Sequence, residues 1–227
     1  MIVSDNPIVE YPDTDNKPMA EGDVQRKCLA YCTEALSLHY QSRQDVYVAG
    51  TLFIYYEQGN PASVVAPDVF VIFGANANSR KSYKVWEERD LVPNFILEIT
   101  SYSTRAQDQG AKKGIYAYLG VQEYFLYDPT TDYLRPALQG FSLNDGNYLP
   151  IHPSADEGKS LSIYSQVLDL DLRITADKFR FYQPNSDRVL PSHAELSLVL
   201  ESEVSTRQAL ESKLIKLEAK LKDLQRD

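Results

Sequence analysis

Apolar positions along the chain follow two different periods. Between residues 46 and 150 they gather in short, dense blocks: Val46-Tyr47-Val48 continuing through Thr51 to Tyr56, then Val64 to Phe73, Phe95 to Thr100, Glu123 to Tyr127, Tyr133 to Leu138, Phe141 to Leu143 and Tyr148 to Pro150. Blocks of this length, rich in Val, Ile, Phe and Tyr, predict strands. Gly59-Asn60-Pro61, Asp128-Pro129 and Asp145-Gly146 carry the chemistry of the turns between them. Pro93 marks the entry to the Phe95 block. Gly74 through Lys84 is small and polar and predicts a solvent loop. Leu161 to Leu172 and Phe179 to Tyr182 read as peripheral elements.

Elsewhere the spacing is helical. Leu29, Cys32, Leu36 and Tyr40 predict the buried stripe of a helix from about Glu21 to His39. A second helix is expected over Ala106 to Leu119, closed by Gly120 at a left-handed cap. The order helix, strands, helix, strand specifies a mixed α/β core. Residues 1–19, with Pro7, Pro12 and Pro18 among polar neighbours, form an irregular arm. Residues 20–189 form one domain and 190–227 a C-terminal helix. In that tail Leu210, Leu214, Leu217, Leu221 and Leu224 are spaced 4, 3, 4, 3, a heptad seam flanked by Glu and Lys. Traced backward it meets Arg207 and Glu203 before Leu200 and Leu196. A dimeric coiled coil, hence a homodimer, is the preferred reading, with docking on the chain's own domain as the alternative. Parallel or antiparallel pairing stays open.

Composition narrows the class. The chain is 43% hydrophobic, enough to supply a core, and its 16 tyrosines and 8 phenylalanines favour a sheet over a helical bundle. No apolar run reaches membrane-spanning length and no charged leader precedes an apolar segment, so a cytoplasmic protein is expected. Cys28 and Cys32, one helical turn apart, suit neither a disulfide nor a zinc site. His39, His152 and His193 are scattered, which argues against a zinc enzyme. The net charge is −9, and residues 190–227 hold six basic against seven acidic groups, so the acidity lies in the globular part. Such a balance works against non-specific nucleic-acid binding and demands a locally basic groove in any nuclease.

Two acidic residues depart from the apolar pattern. Asp68 heads the run Pro67-Asp68-Val69-Phe70-Val71-Ile72-Phe73, and Glu98 interrupts Asn94-Phe95-Ile96-Leu97-Glu98-Ile99-Thr100. A carboxylate in a buried strand costs several kcal/mol unless paired, protonated or bound to a cation. Alternation sends Ile96, Glu98 and Thr100 to one sheet face, where an ion or cleft must receive Glu98. Asp68 alone favours the reading of a turn cap or of a partner to a nearby basic side chain. Downstream, Asp108, Lys112 and Tyr116 recur at intervals of four, along one helix face. Asp108 and Lys112 also make an ordinary surface ion pair, and Tyr116 reads as core. Two carboxylates and a lysine are nevertheless the minimal set for Mg²⁺-assisted phosphodiester hydrolysis.

Pro67-Asp68, Leu97-Glu98-Ile99-Thr100-Ser101, Ser103-Thr104-Arg105, Asp108-x3-Lys112-x3-Tyr116 and Gly120-Val121-x-Glu123 through Pro129 together resemble the Uma-two family. Its members are regarded as endonucleases of the PD-(D/E)XK, restriction-endonuclease-like superfamily. The resemblance spans roughly residues 20 to 185 and implies a mixed sheet flanked by helices. It implies that Asp68, Glu98 and the Ile99 backbone carbonyl hold Mg²⁺, with Mn²⁺ as a substitute, and that DNA is the substrate. The superfamily lysine normally stands two residues after the glutamate, where this chain has Thr100. The resemblance assigns its role to Lys112, with Asp108 in support. An acidic residue from the first helix is also implied, better matched by Glu21 than by Glu34. Two alternatives remain: a catalytically silent binding module of the same fold, and a scaffold that acts by self-association through residues 195–227.

Overall fold

The computed structural model describes residues 9–13, 22–101, 103–154, 161–175 and 178–224, without the side chains of 219, 220 and 222–224. Glu21 lies outside the described residues, as does most of the expected arm. The chain divides into two compact units, Met1–Leu190 and Pro191–Asp227.

A six-stranded mixed sheet in the order β1-β4-β6-β7-β8-β9 organises the first unit. Its strands are β1 (Val46–Ala49), β4 (Val69–Phe73), β6 (Phe95–Ile99), β7 (Glu123–Tyr127), β8 (Leu138–Asn144) and β9 (Asn147–Ile151). Within this sheet, among the described residues, only β6 and β7 pair in parallel, and the segment joining them forms the helical crossover that such a pair requires. The alternation of side chains along β4, β6 and β7 feeds two cores. Val69, Val71, Phe95, Leu97, Phe125 and Tyr127 face helix α1 (Asp23–His39), while Phe70, Ile72, Ile96, Tyr124 and Leu126 join Tyr116 on the other side. Both faces are covered, which is why these strands read as unbroken apolar runs.

Four expectations change on folding. The Thr51–Tyr56 run does not continue β1. The chain leaves the sheet at Gly50, Thr51 takes a left-handed φ of 52°, and β2 (Ile54–Tyr55) joins β3 (Val64–Val65) and β5 (Tyr83–Lys84) in a separate small sheet. The Gly74–Lys84 stretch is not a free loop. Tyr83 is fully buried, and Arg80 pairs with Glu88 at 2.6 Å while lying over the Tyr47 ring. Tyr133 to Leu138 forms no strand, and β8 begins where that run ends. The elements expected to be peripheral are β10 (Leu161–Ser165), β11 (Leu170–Thr175) and β12 (Lys178–Tyr182), a three-stranded sheet that buries Leu170, Leu172 and Phe181 in the α1-side core. Polar residues on the outer faces of these short strands hid that role.

Along α1 the chain buries Tyr31, Cys32, Ala35 and Leu36, and Tyr31 and Tyr40 donate to the carbonyls of Leu190 and Leu168. Cys28 and Cys32 are free thiols. Of the N-terminal arm, Tyr11 packs on Tyr55 and Trp86, and Tyr55 donates its hydroxyl to the Pro12 carbonyl. The second unit is helix α4 (His193–Leu224), opened by a reciprocal cap in which the Ser192 N–H donates to Glu195 and the Glu195 N–H to the Ser192 hydroxyl. No described helix is long and apolar enough to cross a membrane.

Candidate active site

Strands β4 and β6 run antiparallel with Val69 opposite Leu97, so one further step sets Asp68 opposite Glu98. Directly opposed residues share a sheet face, so the two carboxyl groups meet on one side of the sheet. The ladder stops here because Asp68 takes its place: the Ile99 N–H donates to Asp68 Oδ2 at 2.8 Å. A strand residue points its N–H and C=O to the same side, so the Ile99 carbonyl also faces the gap beside Asp68. Gly50 makes the close approach possible, since a Cβ there would collide with the Asp68 carbonyl oxygen.

Above Glu98 lies the crossover helix, which is not a uniform α-helix. Arg105–Gln107 forms a first turn (α2), Asp108–Lys112 is wound as a π-turn, and Lys113–Leu119 continues as α3 to Gly120 at φ 82°. A π-turn holds one more residue than an α-turn and characteristically occurs at functional sites. Here Asp108 and Lys112 border it and Tyr116 follows. Lys112 Nζ stands 3.0 Å from Glu98 Oε2 and 2.9 Å from Asp108 Oδ1, and the Tyr116 hydroxyl donates to Glu98 Oε1 at 2.6 Å. Lys113 points elsewhere, with its ammonium over the Phe141 ring.

Glu98 is fully buried and Asp108 is 1% exposed, while Asp68 is partly buried at the mouth. Burial pushes the Asp68 carboxyl up to about 6, against the pull of Lys112 and the Ile99 N–H. Burial and the neighbouring Asp68 raise Glu98 well above the carboxylate range. Burial alone would lower the Lys112 ammonium, yet Glu98 and the two aspartates outweigh it and hold it charged. Three carboxyl groups thus face one ammonium. Asp108 Oδ1 lies 2.9 Å from the Lys112 ammonium, and Oδ2 has no hydrogen-bond partner among the described residues.

Three carboxyl groups gathered around one ammonium, with Asp108 Oδ2 lacking a hydrogen-bond partner among the described residues, are a donor set that fits a divalent cation, which would displace their protons. No described group of three or more His, Cys, Asp or Glu side chains forms a metal cage.

The structure therefore brings together Asp68, Glu98, Asp108, Lys112 and the Ile99 backbone. Glu34 stays apart on α1. Two tyrosines gain roles that the sequence reading did not give them. Tyr116, read as core, is buried and also hydrogen-bonds Glu98. Tyr124 on β7 donates to the Asp108 carbonyl at 2.7 Å, clasping the π-turn to the sheet. A tyrosine where a buried strand needs only an apolar ring was the signal available. Thr100, at the usual lysine position, is buried, and its carbonyl accepts from the Tyr133 hydroxyl.

A central mixed sheet flanked by helices, with paired acidic residues at the divergence of two strands, defines a restriction-endonuclease-like protein. The chain belongs to the Uma2 family, described as "Putative restriction endonuclease", whose model matches residues 4–177. Among solved structures it is similar to a "putative nuclease belonging to DUF820" from Anabaena variabilis ATCC 29413, at 14% identity and a TM-score of 0.45, over 61% of this chain and 73% of that one. No curated protein matches.

Proposed function

We propose that this nuclease-family chain is a Mg²⁺-dependent DNA endonuclease of the cytoplasm, acting as a homodimer held through α4. The observation that carries the reading is the crowding at Glu98: three buried or half-buried carboxyl groups around one lysine, with Asp108 Oδ2 lacking a donor among the described residues. Asp68, Glu98 and the Ile99 carbonyl would hold the ion, and Mn²⁺ would substitute. When bound, the cation supplies charge stabilisation at the scissile phosphate and activates water.

The remaining work falls to the chain's own groups. Lys112, held charged, orients the attacking water or stabilises the charge growing on the phosphate. Asp108 keeps the ammonium within reach, and Tyr116 fixes Glu98 through Oε1 while Oε2 meets Lys112. Tyr124 sets the winding of the helix that carries both Asp108 and Lys112.

The test is nicking of supercoiled plasmid DNA in Mg²⁺, in Mn²⁺ and in chelator, with calorimetric titration of the metal in parallel. Metal-dependent nicking that disappears in Glu98→Gln is expected. Metal binding without cleavage of duplex or single-stranded DNA would leave a silent binding module, and absence of both would discard the site.

A further inference from the structure

Helix α4 exposes an apolar stripe that no described part of its own unit covers. Leu210, Leu214, Leu217 and Leu221 are each 57–59% exposed, and Leu196 and Leu200 continue the stripe toward the helix start. In heptad terms Leu196, Glu203, Leu210 and Leu217 take d, and Leu200, Arg207, Leu214 and Leu221 take a. Lys213 and Lys220 then fall at g, and Glu211 and Glu218 at e. A sustained a/d stripe of leucines fits the same stripe on another helix, knob into hole, better than it fits a flat surface. The rim charges then decide how the two helices run.

We infer that a second copy of this chain occupies the stripe, with the two α4 helices parallel and in register. This rests on the homodimer reading of the tail and not on nuclease chemistry. Each leucine layer meets its own copy, and Lys213 at g faces Glu218 at e of the other helix, once on each side of the seam. Antiparallel registers instead bring a layers against d layers. The full-overlap one sets Glu203 against Leu214 and Arg207 against Leu210 and leaves Lys213 beside Thr206, and two others also do worse. The first of those two sets Leu210 against Leu221 and Leu214 against Leu217. It brings g against g and e against e, so Lys213 meets Lys220 and Glu211 meets Glu218, all like charges.

The second antiparallel arrangement sets Glu203 against Arg207, which satisfies both charges. It matches Leu196 with Leu214 and Leu200 with Leu210. It then carries Leu221 past the start of the partner helix at His193 and leaves Leu217 against that polar residue. Only the parallel register covers every leucine of the stripe and also makes its rim attractive. Glu203 and Arg207 each meet their own kind in successive layers there, and because the layers are one helical turn apart, Glu203 of one helix can reach Arg207 of the other and offset that repulsion.

Charge reversal on the full-length chain tests this, with dimer dissociation read by light scattering and sedimentation over a dilution series. In the parallel register Lys213→Glu sets two acidic groups against each other on both rims, and the dissociation constant should rise about tenfold. The swap Lys213→Glu with Glu218→Lys should restore it. In the first antiparallel arrangement Lys213→Glu relieves repulsion with Lys220, so a tighter dimer would overturn the parallel order. In the second, Lys213 is far from any acidic rim residue, so an unchanged constant would overturn it as well. Leu217→Cys gives a separate reading, with the wild type as control for Cys28 and Cys32. A disulfide between the two copies under mild oxidation supports the parallel register, and its absence in a confirmed dimer overturns it. A full-length chain that is monomeric at tens of micromolar overturns the occupant itself.

Discussion

Glu98 and Glu123 stand on neighbouring strands of one sheet, both buried, and the fold treats them in opposite ways. Glu123 points to the α1 side. There the Ser165 hydroxyl donates to one of its oxygens, and the backbone N–H groups of Gln166 and Val167 donate to the other at 2.9 and 3.3 Å. Its carboxyl is still raised by burial, although three donors oppose the shift. It is a staple between β7 and the β10–β11 turn. Glu98 points the other way, toward an ammonium, a tyrosine and two more carboxylates. A buried acid surrounded by neutral donors closes a structure, whereas one crowded by other acids is left with charge that its neighbours do not compensate. Burial alone does not separate the two cases, and the surrounding groups do.

The sharpest way to break that contrast is to remove each acid. Glu98→Gln should lower the cleavage rate about 1000-fold and abolish Mg²⁺ binding, with a melting temperature equal to or above wild type, because a carboxylate among like charges has been removed. Glu123→Ala should retain Mg²⁺ binding but lose about 3 kcal/mol, roughly 10 °C in melting temperature, since it leaves a hydroxyl and two N–H groups buried without acceptors. Calorimetric titration and thermal melts of both variants decide the matter. If Glu98→Gln is the variant that unfolds, both acids are staples.

The lysines give the next largest effect. Lys112→Met should slow cleavage about 100-fold and, without metal, cost about 3 kcal/mol by stripping Glu98 and Asp108 of the ammonium paired with them. Mg²⁺ should recover part of that stability. Lys113→Met, whose ammonium lies over Phe141, should change the rate by no more than about twofold. Equal losses from the two would mean that both act by general attraction for phosphate.

Tyr124→Phe sharpens the comparison from the helix side. It removes the hydroxyl that holds the Asp108 carbonyl in the π-turn, and a turn relaxed to α spacing rotates the residues on one side of it by about 100°. About tenfold slower cleavage is expected, with about 1 kcal/mol of stability lost. A crystal structure of the variant with an intact π-turn and unchanged rate would show that Tyr124 is only packing.

The smallest effect is in the pH profile. The Asp68 carboxyl ionises near its ordinary 3.8 in the unfolded chain and near 6 when folded. Between those values the unfolded chain binds fewer protons, so the stability of the metal-free protein should fall as pH rises from about 4 to about 6. Added Mg²⁺ should flatten that slope, because the ion stabilises the charged form. Melting temperatures measured across this range, with metal and with chelator, check the sign.

Much of this arrangement is legible in the chain itself. Period-two alternation along Phe95–Ile99 is enough to put Glu98 on the face opposite Leu97, because a strand has only two faces. Spacing by four is enough to align Asp108, Lys112 and Tyr116 on one helix side, and Gly120 is enough to end that helix. The stripe on α4 is equally local, since a heptad needs no knowledge of the rest of the chain. These features follow from backbone periods that every residue obeys.

What the sequence could not decide depends on contacts between segments remote from one another. The break after β1 follows from the meeting of Gly50 with the Asp68 backbone, and the packing of Tyr83 and Arg80 from the small sheet beside them. The polar strands β10 to β12 belong to the core only because α1 and β7 are there to receive their apolar faces. Glu123 and Glu98 are the same residue type in similar runs, and only the neighbouring elements make one a staple and the other part of a site. The π-turn has the same residues as an α-turn would, and its winding is supported by a hydroxyl from the next strand. The local sequence fixes which way a side chain points, and the tertiary structure decides what it meets, because charge compensation is settled by the nearest few ångströms of space.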